Sequence, residues 1–258
     1  KNKNFIFIES DILNMKDFPD VEYIFHHAAQ AGVRSSWGKD FEFYTRNNIT
    51  VTQRLLEYYK DKEIKKFVFA SSSSIYGDAK ELPVKEDSQK KPISPYGVTK
   101  LAAENLCYTY HKNYGLPIIS LRYFTVYGIR QRPDMGIYKF IDAAIKGNET
   151  TIYGNGKQTR DFTYISDIVK ANLQSAECSA NFISLNIGGG SRISIAELLC
   201  IIEKCVGKQI RVKYVEAQKG DVKDTYADIT LASEFIGYKP EVNIKTGIEK
   251  QVEYMMNY

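Results

Sequence analysis

The apolar positions of this 258-residue chain change period several times along its length. Four short runs are apolar almost throughout: NFIFIES (4–10), YIFHHAA (23–29), KFVFASS (66–72) and PIISLRYFTVY (117–127). Such runs predict strands buried on both faces. Between them lie DFEFYTRNNITVTQRLLEYYK (40–60) and SPYGVTKLAAENLCYTYHKNYG (94–115), which read as helices. In the second, Tyr96, Lys100 and Ala103 share one face, and Asn113 with Gly115 suits the helix end. Strands alternating with helices predict an α/β fold, a parallel sheet with helices on both faces.

After residue 128 the rhythm changes. IYKFIDAAIKG (137–147) reads as a short helix, followed by TTIYG (150–154) and a helix over SDIVKANLQSAE (166–177). SIAELLCIIEKCVG (194–207) is an amphipathic helix, IRVKYVEA (210–217) a strand and IKTGIEKQVEYMMNY (244–258) a final helix. The glycine cluster IGGGSRIS (187–194) precedes a helix whose cap is Ser194, so it reads as a turn. There are no repeats, low-complexity tracts or long linkers. The expected organisation is a dinucleotide-binding lobe over 1–128 and a substrate lobe over 129–258. Some segments of the second lobe return to the main sheet.

Charge narrows the classes of function. Thirty-five Lys and Arg against 31 Asp and Glu give a net charge of only +4, and the basic residues are scattered. That is no footprint for nucleic acid. No apolar run reaches the length of a membrane-spanning helix. Cys107, Cys178, Cys200 and Cys205 form no CxxC pair, and with His26, His27 and His111 they offer no zinc spacing. They read as structural residues, no metal is expected, and a reducing, cytoplasmic setting follows.

Ligands of open parallel sheets sit beyond the carboxyl ends of the strands. Those ends are SDI (10–12), HAAQAG (27–32), SSSSIYG (71–77) and TVYG (125–128), all small, polar and turn-rich. Just beyond, Tyr96 and Lys100 stand at i and i+4, so both can touch one ligand. A tyrosine with an ordinary pKa near 10 needs a neighbouring cation to act as a base at neutral pH. The pattern points to proton removal from a sugar or alcohol hydroxyl, coupled to hydride transfer. By itself it also fits an exposed pair with packed stems.

Eight segments in order add a resemblance: SDI, FHHAAQAGVR, NNITVTQRLLE, FASSSSIYG, SPYGVTK, LRYFTVYGIRQRPDM, TRDFTYISDI and GDVKDTYAD. From about residue 5 onward the chain resembles the extended short-chain dehydrogenase/reductase family, in its nucleotide-sugar epimerase/dehydratase branch. The resemblance implies a Rossmann-like doubly wound sheet with a smaller mixed α/β lobe, and NAD as cofactor. It makes Tyr96 the base, Lys100 its tuning partner and ribose ligand, and Ser72 the hydroxyl that polarises the substrate. Asp11 and Ile12 would flank the adenine, and Ala28, Ala29 and Ala31 would line the cofactor. Asn48 would lie below it and Tyr123 against the nicotinamide amide. Arg34, Ser73, Ser74, Thr125, Ile152, Tyr153, Arg160, Gln218, Asp221 and Thr225 would surround a UDP-sugar. Asp161 would accompany Arg160 near the diphosphate. A homodimer through the helices at 40–60 and 94–115 is also implied.

Two departures refine the expectation. The family's GxxGxxG loop is absent, which implies that roughly 40–60 residues, including two strands, precede this chain in the whole protein. Ser73 and Ser74 occupy the places where dehydratases carry Asp–Glu, so dehydration is disfavoured. The expected activity is a UDP-glucose/UDP-galactose 4-epimerase acting through a 4-keto sugar. UDP-glucuronate and UDP-N-acetylhexosamine are the alternative substrates. A non-catalytic nucleotide-sugar scaffold or sensor is the alternative of another class.

Overall fold

A computed structural model describes residues 3–257. Its main sheet is parallel and ordered β1 (Tyr23–His26), β2 (Lys66–Ser72), β3 (Ile118–Tyr123), β7 (Phe182–Ile187). Every residue of β2 is buried, because the sheet is covered on both faces. Phe67 and Phe69 point to a layer made by α2 (Val51–Tyr59) and α3 (Pro95–Tyr114), packing with Leu56, Ala103, Cys107 and Ile118. Val68 points the other way with Ile119, Leu121 and Leu185, towards α5 (Ile165–Ala176) and α7 (Thr230–Ile236). The uninterrupted apolar runs of β2 and β3 follow from this two-sided burial, whereas β1 forms but, contrary to expectation, leaves Tyr23 and Phe25 each 40% exposed.

The predicted strand at 4–10 does not form. Residues 5–9 adopt no regular secondary structure and have no ladder partner among the described residues, and Phe5, Ile6 and Phe7 are each more than 70% exposed. Apolar character gives a run the capacity for a strand; the hydrogen bonds of a neighbour make it one. The predicted strand at 117–127 splits at Phe124. Beyond it, β4 (Thr125–Tyr127) leaves the main sheet and pairs with β6 (Thr159–Tyr164). The helix expected over 40–60 is also composite. It opens with α1 (Phe41–Tyr44), widens into a π-helical turn over Thr45–Thr50 and continues as α2.

Beyond residue 128, β5 (Glu149–Tyr153) pairs in parallel with β9 (Arg211–Val215), and β6 pairs antiparallel with β8 (Arg192–Ser194). Around them pack α4 (Gly136–Lys146), α6 (Ile195–Val206) and α8 (Ile244–Asn257). Ile141, Ile202 and Ile248, all fully buried, join Phe140 and Tyr127 in their core. Ser194 caps α6 as expected, and Glu197 returns the bond to complete a capping box. The glycine cluster is a turn, and Gly189 is required there: a Cβ would lie 2.0 Å from the Phe162 carbonyl oxygen. Tyr258, the last residue of the predicted final helix, lies outside the described residues. Strand β7 and helix α7 were not anticipated individually.

No helix among the described residues is long and apolar enough to cross a membrane. All four cysteines are free thiols.

Ile202→Ala is expected to lower unfolding free energy by about 2–5 kcal/mol, through lost burial and a residual cavity. Ser194→Ala is expected to cost only about 1 kcal/mol, the worth of one helix cap. Urea unfolding of both variants checks the ranking.

Candidate active site

The register of the sheet sets the floor of the site. Ser72, the last residue of β2, stands opposite Tyr123, the last of β3. Ser72 then accepts a hydrogen bond from the Ser74 amide at 3.2 Å, so the chain turns sharply over the strand ends. Helix α3 begins beside this turn. Ser94 caps it by accepting from the Gly97 amide at 3.1 Å, and Pro95 holds its first position. Gly97 permits the close approach: a Cβ there would lie 2.5 Å from the Ser74 carbonyl oxygen and 2.9 Å from Pro92. The absence of that one carbon brings Tyr96 to Ser72.

At this junction the Ser72 hydroxyl stands beside the Tyr96 phenol and favours its ionised form. Desolvation is the stronger influence and pushes the Tyr96 phenol above its ordinary value. Arg132, which the sequence reading did not single out, pulls it weakly downward. Lys100 is not among the groups doing so. Its ammonium is buried 4.8 Å over the Phe69 ring, and burial lowers its pKa from 10.5 to about 8. Of the two cations expected to favour the Tyr96 phenolate, the Lys100 ammonium and a nicotinamide ring, Lys100 exerts no resolved pull in the protein without cofactor. Burial acts on both groups, and each favours its neutral form.

Asn48 ties the helices to the loop after β1. Fully buried in the π-helical turn, it accepts from the Gln30 amide at 2.7 Å and donates to the Gln30 carbonyl at 3.0 Å. It also donates to Thr99 Oγ1 at 2.9 Å, and Thr99 donates to the Tyr96 carbonyl at 2.8 Å. One amide thus braces the loop and the turn carrying Tyr96. π-Helical turns inside helices are frequent at functional sites. Beside it, the Tyr44 hydroxyl donates to the Gly32 carbonyl at 2.9 Å, and its ring meets Tyr96 edge-on.

The face expected to hold a dinucleotide is open. Ala28 and Ala29 are exposed and Ala31 half-buried, so the backbone after β1 is approachable. Asp11 caps a short turn over Ile12–Asn14, and Arg46 pairs with its carboxylate at 2.6 Å, holding it below its usual range. Ile12 packs partly against the first core. Tyr123 donates to Asn172 at 2.9 Å and stacks with His27 at 6.3 Å. Small, unobstructed residues after β1, with one exposed carboxylate in the segment before it, fit an adenine dinucleotide.

Segments beyond residue 128 carry the other expected ligands. Arg160 does not pair with Asp161, since adjacent strand residues point to opposite faces. The Arg160 guanidinium donates to the carbonyls of Val222 at 2.7 Å, Thr159 at 2.8 Å and Lys223 at 3.0 Å. Asp161 turns inward, accepting from the amides of Gly189 at 2.7 Å and Ala227 at 3.0 Å; burial raises its pKa to about 6. Thr225 is buried and accepts from the Asp161 amide. Asp221 pairs with Arg34 at 2.7 Å, joining a loop of each lobe, and Arg34 stacks 3.9 Å over Tyr153. Gln218 is exposed on the same loop, and Thr125 is half-buried at the start of β4. Ser73 and Ser74 are half-buried in the turn after β2. Ile152 is the exception among the expected ligands. It is 2% exposed and belongs to the second core, because alternation along β5 turns it inward.

Residues 2–188 match the NAD dependent epimerase/dehydratase family, and the chain belongs to it. It is 41% identical over 258 residues to a Bacillus subtilis protein described as an uncharacterized UDP-glucose epimerase, YtcB, covering 98% of this chain and 81% of that one. It is also 41% identical over 262 residues to a UDP-glucuronate 4-epimerase of Thermodesulfobacterium geofontis, covering 98% and 80%. Among solved structures, the UDP-glucuronic acid 4-epimerase of Bacillus cereus in complex with UDP-glucuronic acid and NAD superposes with a TM-score of 0.95 at 44% identity. That superposition covers 99% of this chain and 83% of the other.

Lys100 also makes a stability prediction. Its folded pKa of about 8 lies below the ordinary 10.5, so the unfolded chain binds more protons between those values. Stability therefore rises with pH across that window, and at neutral pH the buried charge destabilises by about 3 kcal/mol at most. Lys100→Met keeps the stem and removes the charge. Urea unfolding at pH 7 and pH 9.5 is expected to show a more stable variant at pH 7, with the gap narrowing at pH 9.5.

Proposed function

We propose that the chain carries the active site of an NAD-dependent UDP-sugar 4-epimerase, and that its substrate pair is UDP-glucuronate and UDP-galacturonate. The observation that carries the epimerase reading is the juxtaposition of Ser72 and Tyr96 at the strand ends, followed by Ser73 and Ser74 and no carboxylate. A base and a hydroxyl suffice to move the C4 hydroxyl proton. Removing a C5 proton and expelling the C6 hydroxyl would need an additional acid and base, which two serines do not provide at neutral pH.

The steps of this chain's residues follow from their places. Arg160 and the 218–225 loop hold the nucleotide diphosphate end. Ser72 hydrogen-bonds the C4 oxygen, and Tyr96 takes its proton. NAD, when bound, supplies a reversible two-electron acceptor and a cationic ring that favours the Tyr96 phenolate. Asp11, Ile12, Ala28, Ala29, Ala31, Asn48, Lys100 and Tyr123 would form its seat. The 4-keto sugar turns over within the cleft, Tyr96 returns the proton, and C4 is inverted with no net redox change.

The uronate assignment rests on Thr125 and the neighbouring serines, together with the likeness to two UDP-glucuronate 4-epimerases. A desolvated C6 carboxylate requires fixed donors. Hydroxyls of Ser73, Ser74 and Thr125 can supply them, whereas Arg34 is engaged by Asp221. The UDP-glucose/UDP-galactose reading is favoured by the likeness to YtcB. Exposed Phe43 and Val98 on the two long helices support the homodimer through those helices.

Tyr96→Phe is expected to lower epimerase turnover by roughly 10²–10⁴ with UDP binding nearly unchanged. Activity within a few-fold of the parent would remove Tyr96 as the base. For the sugar, a paired assay on UDP-glucuronate and UDP-glucose decides. Thr125→Asn, by crowding a carboxylate, is expected to lower kcat/KM for UDP-glucuronate about ten- to a hundredfold more than for UDP-glucose. Equal losses, or a parent inactive on UDP-glucuronate, favour the glucose pair.

A further inference from the structure

Behind the Ser72–Tyr96 junction lies a buried ionic network that the proposed reaction does not use. Glu104 sits on α3 one turn beyond Lys100 and two beyond Tyr96, facing the sheet. Its carboxylate accepts from Arg122 Nη2 at 2.5 Å and Nε at 3.1 Å, from Ser71 Oγ at 2.5 Å and from Ser184 Oγ at 3.3 Å. Arg122 donates further to the Tyr76 hydroxyl at 2.7 Å and the Glu86 carbonyl at 2.8 Å. Tyr76 in turn donates to Asn186 at 2.7 Å. The side chains of Glu104 and Arg122 are 6% and 4% exposed.

The placement of these partners is specific. Ser71, Arg122 and Asn186 are in register across β2, β3 and β7. Ser71 immediately precedes Ser72, and Arg122 immediately precedes Tyr123. A single carboxylate therefore joins the helix carrying Tyr96 and Lys100 to the strand ends carrying Ser72 and Tyr123. Apolar packing alone allows small sliding of a helix over a sheet, whereas a forked guanidinium–carboxylate pair fixes position and rotation. The same carboxylate is the negative charge nearest the buried Lys100 ammonium along the helix. From the end of β1, buried His26 faces that ammonium, with the more exposed His27 just beyond the strand, and desolvation lowers the pKa of both. Cys107 faces it from its own helix as a neutral thiol, and Arg122 lies beyond Glu104 on β3.

We propose that Glu104, locked by Arg122, is a positioning residue for the proposed catalytic pair: it fixes the Tyr96–Lys100 turn over Ser72 and serves as the buried counter-charge to Lys100. The inference rests on the epimerase reading for its kinetic consequence, but not for its electrostatic one. Without Glu104, two cations, Arg122 and Lys100, share a poorly solvated region with no anion between them.

The experiment uses the full-length protein with NAD bound and follows Glu104→Gln in two ways. NMR titration of ¹³Cε-labelled lysines, with the Lys100 signal assigned by its loss in Lys100→Met, is expected to show its ionisation about one pH unit lower. This readout requires no turnover. Epimerase kcat is expected to fall about ten- to a hundredfold, with KM within threefold, from misplacement of the reacting groups. If Glu104→Gln does not fold, Glu104→Gln/Arg122→Met removes both charges and restores a compatible interior. Its Lys100 titration is still expected below that of the parent. Parent-like titration of Lys100 in whichever variant folds would overturn the counter-charge. Parent-like kcat in a folded Glu104→Gln would overturn the positioning. If Tyr96→Phe retains turnover, the epimerase reading fails separately, and the titration still judges Glu104.

Discussion

The parallel register of β2 and β3 is the constraint on which the site depends. It sets Ser71 against Arg122 and Ser72 against Tyr123. Side chains alternate between faces along each strand, so a one-residue slip would reverse the whole arrangement. Arg122 would leave the face where Glu104 waits, and Phe67 and Phe69 would leave the α2–α3 core. A slip is costly because both faces are buried and one carries an ion pair. The same register that packs the apolar layers therefore aims the polar ends.

Helix α3 converts this floor into a site through three different interactions. At its first turn, Gly97 allows backbone contact with the Ser72–Ser74 turn. In the middle, Lys100 lies over Phe69. One turn later Glu104 meets Arg122. Asn48 adds a fourth point by bridging the β1 loop and Thr99. Such bracing costs stability where it buries charge, since Lys100 is desolvated beside a ring and has no direct carboxylate partner. Buried ionisable groups held in this way are typical of sites that must move protons near neutral pH.

The segments beyond residue 128 are tied to one another through backbone as much as through side chains. Strand β6 supplies Arg160 to the carbonyls of the 222–223 segment and Asp161 to the amides of Gly189 and Ala227. Thr225 reaches back to the Asp161 amide. An isolated Arg–Asp dipeptide suggests a local ion pair, yet each residue here serves a different part of the chain. The exposed Arg34–Asp221 pair is weaker by nature and easily exchanged for another anion.

The sequence by itself determined the layers, the order of the motifs and the place of the chemistry. Apolar runs marked β2 and β3, the Ser-Pro start and Gly115 bounded α3, and the i, i+4 spacing put Tyr96 and Lys100 on one face. These features are local, so a single sequence can carry them. Tertiary structure decided what depends on a distant partner. Residues 4–10 look like a strand but are not one, because strand formation requires hydrogen bonds from another segment. Ile152 was counted a ligand and lies in a core, because the pairing of β5 sets its facing. Arg132 acts on Tyr96 through space, from a loop with no periodic signal. Above all, Lys100 was expected to lower the Tyr96 pKa, but proximity in sequence says nothing about solvation. Burial shifts both groups, and the depth at which a side chain lies is a property only the assembled fold possesses.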